Sequence, residues 1–109
     1  MKTSDLIFIG IRGSVIALNH NNGERVWATR LKGISFVNVM LEAEKVLASC
    51  YGEIFCLDAL TGKQLWHNPL KGYGLGLATM ATDRNPGNGA VPFMAENIRR
   101  EQANSAGMV

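Results

Sequence analysis

Only two cysteines occur in the 109 residues, Cys50 and Cys56. Their spacing fits neither a disulfide framework nor a metal or haem-attachment motif, so both are expected to be reduced and structural. Charge of one sign is also scarce, because eleven Lys and Arg against nine Asp and Glu leave a net +2. That excludes the strong basic field of a nucleic-acid-binding protein or a polybasic membrane binder. No long hydrophobic run opens the chain: the apolar stretch at residues 6–11 is closed by Arg12. Six residues are too few for a signal-peptide core and far too few to span a bilayer. The expectation is a soluble, cytoplasmic protein with no membrane and no nucleic-acid partner, of a length that suits one domain. The histidines, His20 and His67, have no Cys, His or carboxylate at ligand spacing, so neither is expected to hold a metal or to catalyse.

What the chain does have is an internal repeat. Setting Trp66 over Trp27 gives an offset of 39, which also carries Gly13 to Gly52, Leu18 to Leu57, Gly23 to Gly62 and Leu31-Lys32-Gly33 to Leu70-Lys71-Gly72 without a gap. Val15 with Ile54, Asn19 with Asp58 and Val26 with Leu65 are conservative pairs at the same offset. A repeat of about 40 residues made of short strands is the sign of a β-propeller blade. Helical repeats of that length need amphipathic helices, whereas the hydrophobic period here is two. Each unit reads as four strands, at residues 6–11, 14–18, 24–28 and 34–41 and then at 45–50, 53–57, 63–67 and 74–80. Strong β-formers fill most of them, and Gly, Asn and Asp punctuate them. Arg12-Gly13 and Tyr51-Gly52 suit two-residue hairpins with Gly at positive φ. Alternation about the second hairpin puts Cys50 and Cys56 on opposite faces.

The segments ALNHNNGERVW and CLDALTGKQLW end the two units alike. Asp or Asn can hydrogen-bond the following turn, Gly accepts the left-handed conformation, and an indole offers a large flat face with one N–H to satisfy. This pattern resembles the tryptophan-docking repeat of the quinoprotein (PQQ-like) β-propellers: Ala, any residue, Asp, two positions, Thr-Gly-Lys/Glu, two positions, Trp. In the second copy Asp58, Thr61, Gly62, Lys63 and Trp66 match, and Cys56 replaces the small Ala. In the first, Ala17, Gly23, Glu24 and Trp27 match, while Asn19 and Asn22 stand for Asp and Thr. The resemblance covers residues 6–80. It implies an all-β fold of two four-stranded antiparallel blades over residues 1–82. Beyond the resemblance lies a loop and tail at 83–109, where Pro92 and the Glu96 and Arg100 pair four apart suit a short helix at 93–102.

Propellers of this family have six to eight blades, so two are expected to be completed by other chains. In the family the strand after the docking motif is the innermost strand of the next blade. The chain then begins on the second strand of a blade and ends on an orphan innermost strand, residues 74–80. Such a head-to-tail contact closes only as a ring. A homotetramer of eight blades is expected, with a trimer of six, or a fragment of a longer propeller, as alternatives. The family's dehydrogenases use a vicinal disulfide and a carboxylate-rich calcium site, and no adjacent cysteines are present, so no cofactor and no enzymatic activity are expected. A quinone- or metal-dependent enzyme is the alternative. A non-enzymatic module for protein interaction or ligand binding is favoured. Its candidate binding face gathers Arg12, Arg30, Lys32 and Lys71 with Tyr51 and Tyr73, which suits an acidic protein or a small anionic ligand.

Overall fold

A computed structural model describes residues 1–85 and divides the chain into two units, residues 1–78 and the segment that begins at Thr79. In the first unit a short 3-10 turn, Thr3–Asp5, precedes seven strands: β1 Leu6–Ile11, β2 Ser14–Asn19, β3 Arg25–Arg30, β4 Asn38–Glu42, β5 Lys45–Cys50, β6 Glu53–Asp58 and β7 Gln64–Asn68. They form two antiparallel sheets, β1-β2-β3 and β4-β5-β6-β7. Of the second unit, residues 79–85 are described; there Thr82 and Asn85 exchange backbone hydrogen bonds at 2.7 and 3.1 Å. The helix expected at 93–102 lies outside the described residues. No helix among the described residues is long and apolar enough to cross a membrane.

The sheets of the described residues are all antiparallel β as expected, but the first sheet has three strands and not four. β4 belongs with β5, β6 and β7, as the strand order of a propeller requires. Residues 34–37, read as part of that strand, are irregular because Ser35 gives its carbonyl to the Gly13 amide at 2.9 Å, bracing the hairpin turn instead of joining a ladder. Residues 74–80 are not a strand either. Gly74 and Gly76 hold φ values of 79° and 134°, outside the β region. A strand needs a partner to satisfy its amides and carbonyls. Among the described residues no strand lies beside 74–80 to provide one.

The two tight hairpins share one geometry. Arg12 and Gly13 have φ of 46° and 74°, Tyr51 and Gly52 of 53° and 74°. Positive φ at both central residues is a type I′ turn, whose twist matches that of the strands it joins. Both registers are direct, with Ile11 opposite Ser14 and Cys50 opposite Glu53. Alternation does the rest. Leu6, Val15, Ala17 and Trp27 on one face of the first sheet meet Val46, Ala48, Cys50, Phe55 and Leu57 on one face of the second. Each large aliphatic side chain buried this way contributes about 1.5–3 kcal/mol. Cys50 and Cys56 are free and buried, and the register puts them on opposite faces of the hairpin.

Candidate interaction surface

Trp27 is the centre of the contact between the sheets. Its position on β3 opposite Ala17 turns the indole toward the second sheet. There its Nε1–H donates to the Ala59 carbonyl at 3.0 Å. Phe8 lies 6.1 Å away in a tilted arrangement, and the ring covers Gly62, where a Cβ would stand 2.5 Å from it. Thr29, two residues on, donates its hydroxyl to the Gly62 carbonyl at 2.5 Å. The receiving turn is rigid for a local reason. Asp58 accepts from the amides of Leu60 and Thr61 at 2.8 and 3.2 Å, and Thr61 accepts from the Lys63 amide at 3.2 Å. One period earlier Asn19 accepts from Asn21 at 2.8 Å and Asn22 from Glu24 at 2.9 Å. In both copies the closing backbone bond, from Gly23 to Asn19 or from Gly62 to Asp58, is 2.8 Å long. The substitutions of Asp by Asn and Thr by Asn therefore keep the turn, because each replacement supplies the same acceptor oxygen.

Trp66 occupies the same place on the second sheet and is 48% exposed, against 9% for Trp27. The matching turn, from Asn19 to Gly23, has an open flank, since nothing stands within 4 Å of a Cβ built on Gly23. The reverse face of the first sheet carries Ile7, Ile9, Ile11, Ile16 and Leu18. One period later these positions are Val46, Ala48, Cys50, Phe55 and Leu57, all buried in the contact between the sheets. Ile7 and Ile11 are 42% and 48% exposed. The edge of β1 away from β2 has no strand beside it among the described residues.

A second link between the sheets is ionic, and sequence reading did not anticipate it. Lys32, on the link after β3, donates to Glu53 at the start of β6. Glu53 is 8% exposed, and its other oxygen lies 2.6 Å from His67 Nε2, whose ring stacks on Phe55 at 4.2 Å. Glu53 and His67 are 14 positions apart, and only the β6–β7 register, with Phe55 opposite His67, brings them to one face. The hydrogen bond from Lys32, then that from His67, hold the Glu53 carboxyl below its usual range, outweighing burial. A carboxyl depressed in the folded state contributes stability that is complete above its unfolded value and lost as pH falls through the folded one. Glu53→Gln should cost about 1–2 kcal/mol at neutral pH. In urea titrations the wild type should then weaken below about pH 4.3 more steeply than the variant. Equal slopes would show that the carboxylate carries no linked proton.

The six residues of the expected basic face divide. Tyr51 is drawn into the contact between sheets, where its hydroxyl accepts from the Ile34 amide at 3.3 Å and its ring lies against Gly33. Lys32 is neutralised by Glu53. Arg30 donates to the Arg12 carbonyl at 3.1 Å, so these two stay together and exposed. Lys71 and Tyr73 are exposed on the link after β7. A hollow of about 310 Å³ lies beside them, lined by Gly52, Leu70 and residues 73–78. His20 is exposed. Among the described residues, no group of three His, Cys, Asp or Glu is placed to hold a metal.

The chain is similar to known proteins in sequence and in fold. A family model described as "Outer membrane protein assembly factor BamB" matches residues 11–99. The crystal structure of BamB from Moraxella catarrhalis is similar over 72% of the chain, with 28% identity and a TM-score of 0.58. The chain spans 24% of the length of that structure. No curated protein matches.

Proposed function

The chain belongs to the BamB-type family of PQQ-like β-propellers, and from that premise we propose that it is a non-enzymatic protein-interaction module that supplies consecutive blades to a closed ring. The ring is completed by further copies of the same chain, four giving eight blades and three giving six. One observation carries this reading: Trp27 is seated on the Ala59–Gly62 turn while Trp66, its equivalent, stands half exposed and the Asn19–Gly23 turn has an open flank. Donor and acceptor lie on opposite sides of one chain, so the contact repeats head to tail and closes when the rotation per copy allows. The apolar reverse face of the first sheet supports it, because it leaves Ile7 and Ile11 exposed where the equivalent Val46 and Cys50 are buried between the sheets.

The molar mass by light scattering after size exclusion tests this. Four chains, or three, are expected, and Trp66→Ala should reduce the mass to that of one chain. The 24% coverage of the BamB structure favours a second reading, in which the remaining blades belong to a longer polypeptide. A wild-type mass of one chain at all concentrations would select it.

A further inference from the structure

We infer that the junction between two copies holds a binding site for a small phosphate-like anion, built from Arg12, Ser14 and Arg30 of one copy and Lys71 of its neighbour. The inference rests on the ring proposed above and on the sequence repeat, which assigns each residue of the contact between the sheets a counterpart at the copy junction. Within the chain, Lys32 crosses from the first sheet to Glu53, with His67 on the same carboxylate and Tyr51 against the link. One period later Lys32 becomes Lys71. One period earlier Glu53 becomes Ser14, His67 becomes Ala28 and Tyr51 becomes Arg12. The copy-to-copy junction therefore keeps the cation, replaces the carboxylate by a hydroxyl and adds two guanidinium groups, Arg12 for Tyr51 and Arg30 for Pro69.

Part of the arrangement already exists in one chain. Ser14 lies directly opposite Arg30 in the β2–β3 register, and Arg30 donates to the carbonyl of Arg12 at 3.1 Å. Among the described residues, the ion pairs of Glu53 engage none of Arg12, Arg30 and Lys71. Three cations gathered without a counter-charge repel one another, and the low dielectric of an inter-sheet crevice strengthens that repulsion. An anion with several oxygens relieves it. Guanidinium groups bind such oxygens in pairs, the ammonium adds a point charge, and the serine hydroxyl donates one more bond. A phosphate monoester or a lipid head group shares this chemistry with the free ion. The crevice between two sheets admits the free ion and keeps a bilayer surface out.

Equilibrium dialysis with inorganic phosphate at constant ionic strength, run beside the molar mass, provides the test. Wild-type ring should bind one phosphate per chain. Lys71→Ala should weaken binding at least tenfold, and Lys63→Ala should not change it. Ser14→Glu recreates the Glu53 arrangement at the copy junction, so it should abolish phosphate binding while the mass stays that of the ring. A ring that binds no phosphate, or whose binding survives Ser14→Glu, would overturn the site and leave the ring standing. Sedimentation with phosphatidic acid vesicles in place of free-phosphate binding would also overturn it, in favour of a lipid head group. A mass of one chain would overturn the ring and the site with it.

Discussion

Trp27→Ala should destabilise the chain by about 3–5 kcal/mol, the range for deleting a large aromatic side chain from a packed site. Trp66→Ala, the same change one period later, should cost the dissociated chain about 1 kcal/mol or less, as half-exposed positions do. Several terms fall together at Trp27. The indole loses its bond to the Ala59 carbonyl, Phe8 loses its partner, and the space over Gly62 is left unfilled. Total stabilities of domains this size are about 5–15 kcal/mol, so the loss is a large share. Urea denaturation of both variants, at protein concentrations below association, reads the difference. Equal losses would mean that the two tryptophans have the same surroundings.

The second large effect is expected at a residue with no side chain. Gly13 holds a φ of 74°, where an L-residue costs about 1–2 kcal/mol. A Cβ there would also run into the carbonyls of Lys32 and Gly33. Those are backbone atoms held by their own bonds, since the amides of Leu31 and Lys32 both donate to the Gly13 carbonyl at 2.8 and 3.1 Å. Neither side can yield cheaply, and overpacking of this kind costs about 1–3 kcal/mol more. Gly13→Ala should therefore lose about 2–5 kcal/mol in the same denaturation experiment, the sum of these two terms. Gly23→Ala has the same strain in φ but open space around the new methyl group, so it should lose only the conformational share. A loss at Gly13 no larger than at Gly23 would show that the link after β3 moves aside.

The strands were legible because period-two alternation and Gly punctuation recur at a fixed offset, and each copy checks the other. β1 and β5 fall at the residues expected, and β3 and β7 are displaced by a residue or two at their ends. What failed was extension past the point where pairing stops. Residues 34–37 and 74–80 have β-forming or small residues, but strand formation depends on a neighbour's free edge, and composition does not encode that. The candidate surface was legible unevenly. Trp27, Asp58, Thr61 and Gly62 were singled out, and the structure brings them into one contact. The Glu53, Lys32 and His67 cluster was missed, because its members come from two sheets and no short motif joins them. Reading Lys32 as a free cation was the cost of that omission.

Two-residue turns join β1 to β2 and β5 to β6, which bears on the order in which the molecule assembles itself. Hairpins form in about 1–10 μs, and a two-residue turn keeps the loop that must close short. The Trp27 to Ala59 bond joins residues 32 positions apart. Closing that larger loop is the entropically expensive event, and it is rewarded only when both sheets already present formed faces. The hairpins are therefore the early structures, and the seating of an indole on a finished turn is the late one.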